Sequence, residues 1–142
     1  MPVVSSRPIR GVALFTVLML MLAAALNAVM DKLQFHYDKS IFARVESQQM
    51  WLDPRLSWRN KWMNGDPKQG EAFPLSSTAL VATTDAWHCA KSLWIDSILL
   101  AVLAPFTCLM RMRWWKWALV FLSAKVLYGA VFETLFAHVL AK

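Results

Sequence analysis

Glycine is scarce in this chain: four residues in 142. There is no Gly-rich loop to cradle a phosphate and no G-x-S-x-G nucleophile elbow. That argues against P-loop nucleotide chemistry and hydrolases of the α/β type. No H-E-x-x-H appears either, and no paired E-x-x-H. Cysteine is equally sparse. Cys89 and Cys108 are the two, 19 positions apart in one apolar segment. On a helix rising ~1.5 Å per residue they stand ~28 Å apart. A disulfide needs Cα atoms within ~7 Å, so they cannot pair within the chain. They read as small apolar groups and say nothing of redox compartment. Internal repeats and low-complexity tracts are absent.

Charge is also low. Asp, Glu, Lys and Arg make up 17% of the chain, while 58% is hydrophobic and the mean hydropathy is +0.41. Soluble domains carry about 25% charge and about 45–50% apolar residues. Both departures point to a membrane. Eight tryptophans fit the same reading, because the indole favours the membrane–water boundary. The net charge of +6 does not indicate nucleic acid, because the basic residues flank apolar runs and form no basic stripe.

Three apolar segments emerge, all expected as helices, in a single all-α membrane domain. Residues 11–30, "GVALFTVLMLMLAAALNAVM", hold no charge, and ~20 residues suffice to cross a bilayer. A cleaved signal peptide is the rival reading, but the run exceeds the usual ~7–15-residue core, so a retained anchor is expected. Residues 76–110 form the second segment and 114–140 the third. A four-span arrangement would cut 76–110 into pieces too short to cross. The 31–75 connector is polar. Within it, "DPRLSWRNKWMNG" reads as a short amphipathic helix. Asp53 suits the N-cap, Pro54 the first helical position, and Asn64-Gly65 the stop. Arg55, Trp58, Arg59 and Trp62 then share one face, as in a helix lying on a membrane surface.

Lys and Arg near the segment ends set orientation. Arg7 and Arg10 precede the first segment, and Arg111, Arg113 and Lys116 follow the second. Both clusters belong on the cytoplasmic side. The N-terminus is thus expected in the cytoplasm and the C-terminus outside.

Ionisable groups interrupt the second and third segments. At ~100° per residue, Asp85, His88, Ser92 and Asp96 fall within an arc of about 80°. Lys91 lies off this stripe, and Trp87 and Trp94 lie opposite. A charge at the bilayer centre costs ~2.5–3.5 kcal/mol on insertion scales, so the stripe is expected to face protein or water. Counting ~1.5 Å per residue from the basic turn places Asp85, His88, Glu133 and His138 near the outer boundary. His36 and Asp38 follow the outer end of the first span. Asp96 and Lys125 lie deeper, at matching depths of ~22 and ~18 Å, where they can pair across helices.

Three functions compete for these groups. They can fix helix packing, within one chain, a homo-oligomer or a larger membrane complex. Asp85, His88, Glu133, His138, His36 and Asp38 can form a ligand pocket, with a divalent transition metal as one occupant, or with Asp96 and Lys125 an ion path in an oligomer. Or a metal-bound water, or His88 oriented by Asp85, can hydrolyse a substrate at the headgroup level. Cys89 is a poor nucleophile candidate, because adjacent helical side chains diverge. Glu133 and His138 are five apart and point ~140° apart, too far to chelate together. The reading favoured is a non-enzymatic binding or accessory membrane protein with a His/carboxylate pocket near the outer leaflet. No catalytic residue or resident metal is assigned.

Overall fold

Each of the three apolar runs becomes one long helix in the structure, a computed structural model that describes residues 6–136, with side chains from residue 10. Helix α1 is Ser6–Phe35, α2 is Ala86–Leu109 and α3 is Trp114–Thr134. All three are long and apolar enough to cross a membrane. No strand occurs among the described residues. Helix α1 outruns the expected 11–30 span at both ends. Helix α3 passes into a wider helical turn at residues 135–136, the last described, so the expected end at 140 lies outside the described residues. The last six residues lie outside the described ones.

The second span differs more. The expected 76–110 segment is helical only from Ala86. Residues upstream are held in turns: Leu75 takes a positive φ of 64°, and Val81–Thr83 form one 3-10 turn. The helix starts where a cap is available. Asp85 accepts a hydrogen bond from the His88 backbone N–H at 2.8 Å, satisfying a donor with no intrahelical partner.

The C-terminal end of α2 is also specified. Pro105 removes one intrahelical donor, and the Thr107 hydroxyl donates to the Ala104 carbonyl at 2.9 Å. Past Leu109, Met112 N–H donates to the Thr107 carbonyl and Arg111 N–H to the Cys108 carbonyl. These two bonds make a Schellman turn. Its left-handed position, usually glycine, is Arg111, with φ 50°. The left-handed region costs an ordinary residue roughly 1–2 kcal/mol.

The chain divides into two compact units. The first comprises Met1–Met21 with Ile95–Lys142. Little of its apolar surface is covered by the chain itself, and the apolar stretch of α3 has no buried residue.

The second unit is Leu22–Trp94. Leu33, Tyr37 and Ala86 form its buried centre, with Val29, Phe42, Trp51, Leu52 and Trp87 packed around them. Its connector is a succession of single helical turns pinned by side chains. Asn60 Nδ2 donates to the carbonyls of Met50 and Thr84, and the fully buried Ser76 donates to the Lys61 carbonyl. Glu71 accepts from the backbone N–H groups of Leu75 and Ser77 and from the Ser77 hydroxyl.

The amphipathic helix expected over 53–65 does not form as one element. Asp53 and Pro54 start it as anticipated, with Asp53 accepting from Arg55 N–H. But α-helix covers only Pro54–Ser57, and a 3-10 turn carries on to Lys61. Trp62 then turns extended and bridges to Glu71, while Ala72 N–H donates to the Lys61 carbonyl. That local pairing competes with helix continuation and ends it. Trp62 therefore leaves the face expected to hold Arg55, Trp58 and Arg59. Arg59 lies over the Trp58 ring, 5.5 Å from its centroid. Arg55 points back at Asp53 and Asp38.

Candidate functional site

Asp85 and His88 form the best-defined polar site. Asp85 sits just before the first turn of α2, with 2% of its surface exposed. One carboxylate oxygen, Oδ1, caps the helix through His88 N–H. The other, Oδ2, lies 2.6 Å from His88 Nδ1 and 3.3 Å from the Thr84 hydroxyl, which donates to it. Burial raises the Asp85 pKa, but bonds from the His88 ring, the His88 N–H and Thr84 outweigh it and hold the carboxyl below its ordinary value.

An ionised carboxylate can only accept, so Nδ1 carries the proton in this contact. In the neutral ring the lone pair then sits on Nε2, which makes no hydrogen bond to any described residue. The ring remains partly open, with 26% of the side chain exposed. Trp87 meets it edge-on, with centroids 5.0 Å apart. Lys91 lies over the Trp87 ring at 4.9 Å. The arrangement presents one oriented imidazole nitrogen beside an aromatic and a cation. It can accept a hydrogen bond, take a proton, or bind one coordination position.

The D-x-x-H spacing has a second meaning that chelation logic overlooks. A capping residue followed three positions later by a side chain that reaches back is a helix-start signature. Here His88 stands where Glu or Gln is usual, but its ring meets the Asp85 carboxylate rather than the Asp85 N–H, so only the N-cap half of the motif is formed. Asp85 is thus outside the helix, at its cap, and does not share a helical stripe with His88. Thr84 and Trp87 complete the site; the hydroxyl beside the cap was the available sequence signal for Thr84.

The other candidates separate. Asp38 pairs with Arg55 at 2.9 Å, and Arg55 also holds Asp53 at 2.8 Å. The Arg55 hydrogen bond keeps the Asp53 carboxyl below its ordinary value. His36 is exposed where α1 gives way to the next 3-10 turn. Glu133 is exposed near the end of α3. His138 lies outside the described residues. Among the described residues, no three His, Cys, Asp or Glu side chains come together as a metal would require. The expected convergence of ligands is therefore not assembled by them, since Asp85 is spent on a cap and Asp38 on an arginine. Cys89 and Cys108 are both free thiols.

Asp96 and Lys125 meet within the first unit. Lys125 Nζ lies 2.8 Å from Oδ1 of Asp96 and donates to Oδ2 at 2.9 Å. The side chains are 24% and 41% exposed, respectively. The pair joins α2 to α3.

No protein-family model matches the chain, and no curated protein or solved structure matches it. The chemistry of the site has to carry the functional reading.

Proposed function

We propose that this chain is a multi-pass membrane protein of three spans, with its N-terminus cytoplasmic and its C-terminus outside. Its role is binding: an accessory protein whose contact group is His88, at the outer end of α2. The observation that carries the reading is the Asp85–His88 pair. A buried carboxylate fixes the ring through Nδ1 and leaves Nε2 without a hydrogen bond among the described residues, as a contact group would need. The apolar helices add support, because the chain covers little of their surface and leaves it to lipid or a neighbouring subunit.

An Asp–His pair is also half of a general-base device, so hydrolysis is the competing reading. Among the described residues no side chain hydrogen-bonds the ring as a nucleophile would, so the attacking group in that reading is water. Cys89 follows His88 directly and diverges from it on the helix.

The test compares full-length tagged protein, wild type and His88→Ala, extracted gently from its own membranes. A binding role predicts that the wild type runs as a defined complex of fixed subunit ratio and that His88→Ala loses it while unfolding at the same temperature. Identical particle size for both proteins overturns the proposal. An ester- or amide-hydrolysing activity lost in His88→Ala, with particle size unchanged, replaces it with the hydrolase.

A further inference from the structure

The first unit carries a groove that has no part in the His88 site. It opens among the start of α1, the end of α2 and the start of α3, with a volume of about 470 Å³. Small-molecule pockets run from ~300 to ~1,000 Å³. Its wall is apolar and aromatic: Gly11 and Phe15 from α1, Ala104 and Cys108 from α2, Trp114 and Trp117 from α3.

Cations border it in sequence. Arg10 precedes Gly11, Arg111 and Arg113 flank the lining residue Met112, and Lys116 lies between Trp114 and Trp117. All four are exposed. No Asp or Glu occurs from Ser97 to Phe132, or from Ser6 to Met21, so this end of the unit holds no compensating acid. Arg111 adds an independent observation. It occupies the left-handed position of the α2 terminal turn, where glycine is free of strain. The turn alone does not explain an arginine there. A basic residue there suits the positive-inside pattern of the 111–116 turn, and it also puts a charge next in sequence to the groove-lining Met112.

We propose that this groove is a binding site for one anionic phospholipid, taken from the leaflet that meets the 110–113 turn. An acyl chain occupies the apolar cleft beside Trp114 and Trp117. The phosphate lies among Arg10, Arg111 and Arg113, while Lys116, held over the Trp115 ring, adds to the basic field of the turn. Basic pockets between spanning helices are suited to such headgroups, and the tryptophans mark the boundary depth at which one sits. Charge complementarity selects an anionic lipid over a zwitterionic one, and the apolar lining selects a lipid over a soluble phosphate.

The inference rests on the spanning reading, so resistance of the full chain to alkaline extraction from membranes is measured first. Release from the membrane overturns both. Retained protein is then purified in neutral detergent, stripped of lipid, and titrated with phosphatidylglycerol or phosphatidylcholine of matched chains. Native mass spectrometry and thermal unfolding report bound lipid. Phosphatidylglycerol is expected to bind at least tenfold more tightly. Arg111→Gly keeps the turn, because glycine adopts positive φ freely, and should unfold no earlier than the wild type. It should lower the preference for phosphatidylglycerol about fivefold, with a further loss in R111G/R113Q. Gly11→Leu should abolish retention of both lipids. A side chain fits at this position without a clash, since nothing stands within 4 Å of an added Cβ. Equal affinity for the two lipids, a preference unchanged in R111G/R113Q, or full retention by Gly11→Leu overturns the site. So does a wild-type dimer that Gly11→Leu dissociates without changing the lipid count, which would give the groove to a second copy.

Discussion

The carboxylate of Asp85 holds His88 at two points, accepting from its backbone N–H at 2.8 Å and contacting its ring Nδ1 at 2.6 Å. One side chain thereby starts helix α2 and sets the direction of the imidazole. Structure and proposed binding are coupled through it, and single substitutions can separate them.

Asp85→Ala should cost about 2–4 kcal/mol of stability. Loss of a helix N-cap accounts for roughly 1 kcal/mol, and loss of a charged hydrogen bond for a further ~1.5–3 kcal/mol. Asp85→Asn keeps an acceptor for the cap but can present its amide to Nδ1 as a donor, which reverses the ring's tautomer. It should therefore retain most of the stability and lose the orientation of Nε2. Denaturation of the detergent-solubilised protein, with imidazole nitrogen NMR shifts, reads the two effects apart. Equal destabilisation by both substitutions would mean that the cap contributes little and that the carboxylate–imidazole contact carries the stability.

Acid should weaken the 22–94 unit through Asp85 and Asp53. Both carboxyls lie below their ordinary values in the folded chain. The unfolded chain therefore binds more protons as pH drops through the range near 4, and folding loses their contribution. The contribution is complete above the unfolded value and disappears as pH falls through the depressed native one. Unfolding temperature measured from pH 6 to pH 2.5 should decline, and the decline should be shallower in D53N/D85N. An equal slope in the double variant would assign the acid response to other groups.

The long helices were legible because twenty-residue apolar runs leave few alternatives. Asp53-Pro54 was legible for the same reason: cap and first-turn chemistry is local. The Asp96–Lys125 pair was legible from matched depth on two helices, but most other contacts between partners distant in sequence were not. The 53–65 helix stopped because Trp62 bridges to Glu71, a contact that periodicity does not encode. Arg55 turned back chiefly to Asp53, its local cap residue, and also to Asp38, seventeen residues upstream. The D-x-x-H spacing fits both a chelating pair and an N-cap bond. Only the start of α2 at Ala86 decides between them. The groove beside Trp114 went unread, since no single segment contains it.

Asp96 and Lys125 should behave as a pair. In the proposed three-span arrangement, removing one charge leaves the other in the apolar part of a helix, at a cost of about 2.5–3.5 kcal/mol at the bilayer centre. Asp96→Leu or Lys125→Leu alone should thus reduce expression in membranes and lower the unfolding temperature. The double substitution D96L/K125L should recover most of the loss, because an ion pair is often replaced by apolar groups at little cost. A double-mutant cycle with strictly additive effects would show that the contact contributes no coupling.

Topology follows from where the basic residues lie. In the proposed topology, Arg7 and Arg10 before α1, and Arg111, Arg113 and Lys116 between α2 and α3, are expected to resist translocation. A three-span chain obeying both clusters puts its C-terminus outside. A reporter active only outside the cytoplasm should therefore work when fused after Lys142, and one that fluoresces only in the cytoplasm should stay dark. The second cluster can be tested by itself. Replacing Arg111, Arg113 and Lys116 with glycine, serine and serine removes the three charges and leaves the Schellman turn a residue suited to it. If this cluster anchors the α2–α3 turn, the variant should populate both orientations of α3, and both reporters should give signal. Unchanged reporter signals in the variant would leave the orientation to Arg7 and Arg10 alone, and a cytoplasmic C-terminus in the wild type would rule out three spans with the N-terminus inside.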